Sequence, residues 1–343
     1  MRRPNITIAI VVAFLGLAPR LGWAQTKKPG NPEKELPPNI TPLTGFGERA
    51  AWSPDGRRVA FMSKSFGDAF EIDLETKMTR LLTGHFPHAG FLRVQYLPNG
   101  DLFLIGARTF TDIHSTREHD QEMWVMKPDA KSPPVALGHK ISEGVAISRK
   151  QMQIAWANTH GQYPDQLAPG ESVIYTTGIE YKMGVPTLVN KQEVVRARAP
   201  ACTLEAQDFR NDDTELIYTC YTHPLADVLG VELPTGKTTV YRHVPGEYNE
   251  VEGISPDGTW TLVESSRGQN VPEADKWANI DIWKLRLIPA SSDFVRLTHW
   301  ADFEGFKASN PVVSPDGKWI AFQSARNNEP AGVGHGIFLM RLE

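Results

Sequence analysis

Only two of the 343 residues are cysteine, Cys202 and Cys220. Two are too few for a thiolate metal cluster or for a small fold built on disulfides. Charge of one sign is also missing: 36 Lys and Arg face 40 Asp and Glu, a net charge of −4. That balance leaves no electrostatic footprint for nucleic acid or for an anionic membrane surface. No apolar run reaches bilayer-spanning length, since the longest, residues 6–18, stops well short of it. Neither a Gly-x-Ser-x-Gly elbow nor a His-Glu-x-x-His pair occurs, which argues against an α/β-hydrolase nucleophile and a zincin helix. The glycine-rich run 332–336 leads into a strand-like stretch rather than a helix, so it lacks the context of a phosphate cradle.

What the N-terminus does contain reads as an export signal. Arg2 and Arg3 precede the apolar run, and Gly22 and Ala24 place small residues at the −3 and −1 positions of a cleavage site. The expectation is a signal peptide at 1–24, a mature chain from about Gln25 with no membrane span, and a periplasmic or secreted location. Residues 25–39, with Pro29, Pro32, Pro37 and Pro38 among charges, are expected to form a flexible linker. Both cysteines survive cleavage and flank a predicted turn near Asn211. An oxidising compartment suits a disulfide stabilising by about 3 kcal/mol, with two buried thiols as the alternative.

Beyond residue 40 one phrase recurs. Ser-Pro-Asp-Gly at 53–56, 255–258 and 314–317 is followed each time by an apolar strand, and Leu97-Pro98-Asn99-Gly100 is a looser copy. Pro presets φ and Asp/Asn-Gly accepts the positive φ of a tight hairpin. Two decayed copies, at Ser148 and Arg210, complete six anchors spaced 44 to 62 residues apart. A third and usually a fourth strand follow each hairpin. A period of this size is that of a propeller blade. The predicted fold is all-β: a six-bladed β-propeller of four-stranded antiparallel blades over 40–343. The last repeat has three strands, and residues 40–44 are expected to supply its fourth and close the ring.

The phrase Ser-Pro-Asp-Gly-(x)2-(apolar)3-Phe, with Ser265-Ser266-Arg267 and Ser324-Ala325-Arg326 behind later copies, resembles the WD40-like repeat of TolB-type β-propellers. That resemblance implies the fold; the repeat serves interaction proteins, peptidase gates and lyases alike. TolB carries an α/β domain ahead of its propeller, and with 39 residues before residue 40 no counterpart of that domain is expected here.

The connections from second to third strand are long at 108–121, 158–171, 265–279 and 324–336, and all fall on one face. Long loops on a rigid scaffold are where binding and catalysis concentrate. Five residues before the anchors stand Glu48, Glu143, Glu205 and Glu250, with Arg93 near the slot of blade two. They predict a ring at the pore mouth, suited to a divalent cation or a cationic ligand. Carboxylates paired with Arg49, Arg93 and Lys307 would produce the same pattern. His88, His114, His119 and His160 gather in neighbouring loops as candidate ligands for Mn, Zn or Fe, with Ca the option at carboxylates alone. Arg108, Arg267 and Arg326 occupy equivalent positions with His160 and would hold an anionic sugar or brace the blades. Tyr163 and Trp277 are candidates for stacking on sugar rings.

The leading expectation is a monomeric binding module whose partner, a protein or a cell-envelope oligosaccharide, sits on the long-loop face. The alternative is a metal-assisted lyase or hydrolase of uronate-containing oligosaccharides, for which oligogalacturonate lyases, similar in being propellers, set the precedent. There His88, His114, His119 and His160 would hold the metal.

Overall fold

The computed structural model of the chain describes residues 27–330 and 332–342. The expected signal peptide and cleavage point therefore lie outside the described residues. Six four-stranded sheets, each antiparallel, surround a central axis. Their innermost strands are Glu48–Trp52, Phe91–Tyr96, Val145–Ile147, Thr203–Arg210, Asn249–Ile254 and Phe306–Val313. The sixth sheet takes its outer strand from Ile40–Pro42, which pairs with Ile337–Arg341, Ile40 lying opposite Met340. The expected six blades and ring closure are both present. Pro42 fits there because an outermost strand has amides with no ladder to join.

The recurrent phrase folds the same way each time. Ser53 Oγ accepts a hydrogen bond from the Arg58 amide at 2.9 Å and donates to Asp55 Oδ1 at 2.6 Å. Ser255 with Asp257 and Ser314 with Asp316 repeat this bond for bond. Gly56, Gly258 and Gly317 supply left-handed φ angles of 69°, 71° and 71°. The motif is thus a turn-closing device, which explains why it marks fold and not activity.

Apolar residues fill the space between facing blades. Leu92, Phe103 and Met123 of blade two pack with Ile154 and Trp156 of blade three. Ile282 and Leu262 of blade five pack with Phe322 and Phe338 of blade six. Each inter-blade cluster is a sheet-on-sheet core, so the ring is rigid around its axis.

Three local features qualify the sequence reading. From residue 27 the stretch expected to be a flexible tether is seated on the propeller: Lys28 bridges to Phe303, Pro32 is buried, and Glu33 Oε1 accepts from Arg326 at 2.8 Å. A few specific polar contacts hold a segment that has little apolar area of its own. Cys202 and Cys220 form a disulfide, their Cα atoms 5.2 Å apart. The widest anchor spacing contains a long hairpin, Glu171–Lys182 with Val185–Arg198, that carries Met183 fully exposed at its tip. Among the described residues no helix is long and apolar enough to cross a membrane.

Candidate functional site

The site arises from a defect repeated in the inner strands. Register shifts fall between Glu48 and Ala51, Phe91 and Arg93, Ala206 and Asp208, Val251 and Ile254, and Ser309 and Val312. A bulge bends its strand and re-aims the neighbouring side chains. Two bulge residues take left-handed backbone angles that side chains rarely adopt, Arg49 at φ 54° and Asn310 at φ 49°. They bond to each other, Arg49 Nη1 donating to Asn310 Oδ1 at 3.2 Å.

A cavity of about 700 Å³ opens where these strands converge, on the long-loop face. Glu48, Glu143, Glu205, Glu250 and Arg93 all line it, so the expected ring comes together. Arg49, Arg117, Lys307, Glu252 and Glu264 line it as well. A smaller cavity of about 200 Å³ opens on the opposite face, and Arg93 and Glu252 border both. These two side chains partition the central channel.

The basic wall centres on Glu143. Arg49 Nη1 lies 2.5 Å from Glu143 Oε1, Arg117 pairs with the other carboxylate oxygen, and Arg93 Nη2 stands at 3.9 Å. Burial, with the neighbouring Arg49 and Arg93 charges, pulls the Arg117 guanidinium down to about 10. Arg49 Nε and Arg93 Nε are buried without a hydrogen-bond acceptor.

The acidic wall comes from blades four and five. Glu250, Glu252 and Glu264 bring carboxylate oxygens within 4.8 Å of one another. The Tyr221 hydroxyl lies 2.6 Å from Glu205 Oε2 and 2.5 Å from Glu250 Oε1, and Tyr248 also bonds Glu250. A single phenol proton serves only one of two acceptors, so a second proton belongs on this pair. Burial, reinforced by neighbouring carboxylates, raises Glu205 and Glu250 above the usual range and Glu252 well above it, and burial raises Glu264 against the opposing Asn310 amide and Lys307 charge. Burial in turn lowers Lys307, which faces this wall.

The four histidines do not form a ligand set. His88 is outside the cavity, held between Asp68 at 3.0 Å and the Gly90 amide at 2.9 Å. His119 Nδ1 bonds Gly161 O, His160 Nδ1 bonds Leu167 O, and His114 lies beside Glu118. Each ring is engaged locally, and proximity in sequence did not become convergence. Among the described residues the one group with three ligand atoms so close is Glu250, Glu252 and Glu264. An all-oxygen donor set of this kind suits Mn²⁺ or Ca²⁺ better than Zn²⁺.

The second expected ring also disperses. Arg108 is bonded to both oxygens of Glu122 and stacks on Trp124, Arg267 lies over Trp283 and Phe294, and Arg326 lies over Phe306. Only Arg326 and His160 of that set reach the cavity. Tyr163 lies away from it, its hydroxyl accepting from the Lys140 amide at 2.9 Å. Trp277 stands at the rim, 48% exposed, with Lys307 Nζ 5.0 Å from its ring.

No family model and no curated protein matches the chain. Solved structures do. TolB of Acinetobacter baumannii is 10% identical with a TM-score of 0.53, covering 88% of this chain and 65% of its own. The chain has the TolB-type propeller fold. An oligogalacturonate lyase in complex with manganese is 13% identical with a TM-score of 0.52, covering 88% and 79%. A gluconolactonase of Xanthomonas campestris is 11% identical with a TM-score of 0.56, covering 89% of each chain. This chain therefore spans less than two thirds of the Acinetobacter TolB. At these identities the likeness concerns fold, and the same scaffold carries binding and catalysis alike.

Proposed function

We propose that this protein is an exported binding module that receives its ligand, a protein segment or a cell-envelope oligosaccharide, in the cavity of the long-loop face. The carrying observation is the bulged inner ring, which gathers buried charges beneath a mouth of about 700 Å³. That is a fitting size for a small-molecule or chain-end site. Trp277 at the rim offers an exposed ring that can stack on a sugar or an aromatic side chain. Calorimetric titration of the chain matured at Gln25 against envelope oligosaccharides and envelope proteins tests the reading. A bound component is expected to lose about tenfold in affinity in Trp277→Ala and nothing in Met183→Ser, on the opposite face. Binding that depends on Met183 and ignores Trp277 would place the ligand elsewhere and end the proposal.

A second reading, a metal-assisted lyase or hydrolase of uronate-containing oligosaccharides, is favoured by one observation. Glu250, Glu252 and Glu264 form a compact carboxylate group, and Tyr221 and Tyr248 both bond Glu250, Tyr221 linking it to Glu205 as well. Such a group can move a proton, and with a hard divalent cation it could polarise a substrate carboxylate. Formation of an ultraviolet-absorbing unsaturated product that requires added Mn²⁺ or Ca²⁺ would move the assignment to this reading.

A further inference from the structure

Three guanidinium groups surround one carboxylate on the basic wall. Arg49, Arg93 and Arg117 all approach Glu143, and Lys307 lines the same cavity. Three arginines present about fifteen N–H donors, whereas Glu143 and Glu48, whose Oε1 stands 3.6 Å from Arg49 Nε, together accept about eight bonds. The shortfall is visible: the buried Nε atoms of Arg49 and Arg93 have no acceptor. A buried charged donor left unmade is costly, and native proteins keep such groups where something else completes them.

The backbone shows that this placement is enforced. Arg49 sits at φ 54° on a bulge, its amide donating to Gln323 Oε1 at 2.7 Å, and Asn310, also left-handed, holds its guanidinium. Strain of this sort persists where surrounding structure over-determines it, and it concentrates at ligand sites. The acids across the cavity are engaged among themselves, Tyr221 bonding Glu205 and Glu250 and Tyr248 bonding Glu250.

We propose that the cavity takes a sugar acid whose carboxylate seats on Arg49, Arg93 and Arg117 beside Glu143. This rests on the reading of the cavity as the ligand site. A planar carboxylate matches the forked donors, which a neutral hydroxyl does not. Trp277 supplies a face for the pyranose ring, and the phenols of Tyr221 and Tyr248, with the acidic wall, supply partners for its hydroxyls.

The test is calorimetric titration of the mature chain with D-glucuronate, D-glucose and trialanine at one ionic strength. Glucuronate is expected to bind, with glucose and trialanine weaker by at least about tenfold. Arg117→Gln should lose at least about tenfold for glucuronate, and Arg267→Gln, outside the cavity, should lose nothing. Arg117→Lys keeps the charge without the fork and should bind measurably worse than the parent, so a misfolded Gln variant leaves the idea exposed. Equal affinity for glucose and glucuronate overturns the sugar-acid inference while the binding reading stands. Preference for trialanine overturns it in favour of a peptide terminus. No binding of glucuronate, or binding indifferent to Arg117, overturns it outright, and the envelope titration then judges the binding reading separately.

Discussion

Glu252→Gln isolates the energetics of the acidic wall. Glu252 is buried at 6% exposure, and Glu264 and Glu250 lie beside it. Burial first, then these two carboxylates, raise its affinity for a proton well above the ordinary value, while Arg93 opposes them. In the unfolded chain the same group ionises at about 4.3. Below that pH both states hold the proton and the group contributes nothing to the pH dependence. Above it the unfolded state gains by ionising and the folded state does not, so stability falls as pH rises. The slope is at most about 1.4 kcal/mol per pH unit for one group, or about 3 kcal/mol between pH 5 and pH 7. Glutamine keeps the shape and hydrogen-bonding capacity and removes the titration. Urea unfolding in EDTA at both pH values should therefore show the parent losing more stability than Glu252→Gln as pH rises, by up to that amount. Parallel losses in the two proteins, or a parent more stabilised at pH 7 than the variant, would refute a protonated Glu252. Repeating the series with Mn²⁺ discriminates further, because a bound cation replaces the proton and abolishes the excess slope.

Two predictions concern the frame. Reducing the Cys202–Cys220 bridge, which closes a loop of 18 residues, should cost about 3 kcal/mol; an unchanged urea midpoint with both thiols shown free would contradict it. Removing the chain through Pro42 deletes the outer strand of the sixth blade and uncovers the edge of Ile337–Arg341. The shortened protein should melt lower and associate through that edge in light scattering, whereas unchanged mass and melting would mean the strand is dispensable.

The architecture was readable because blades are equivalent. A serine that closes a turn at 53 does so again at 255 and 314 with the same bonds, so repetition in sequence maps onto repetition in space. Even the decayed copies kept the strand phase: Ile154 and Leu216 are buried as the Val59 position requires. The seated N-terminal segment was not readable, since its attachment depends on an ion pair between Glu33 and Arg326, 293 residues apart. The cavity ring was found by depth alone, counting back from each anchor. Its bulges were invisible, because a left-handed φ at Arg49 has no signature in residue type, and Asn310, although of a type that tolerates it, lies within a strand and in no turn phrase.

Equivalence also explains which candidates failed. Arg108, Arg267 and Arg326 recur because each guanidinium stacks on an aromatic ring of its own blade. Recognition requires asymmetry, and the residues that supply it do not repeat. Arg49, Arg93 and Arg117 come from blades one and two, while Glu250, Glu252 and Glu264 come from blade five. The cavity is therefore basic on one side and proton-holding on the other, a polarity that a six-fold pattern cannot express. Arg117 is the sharpest case, because it projects from the short helix Ile113–His119, the one α-helix among the described residues. Glu252 was within reach, two residues along the strand from Glu250 and so on the same face. A search for chemistry in a repeat protein gains most from the positions where one blade departs from the rest.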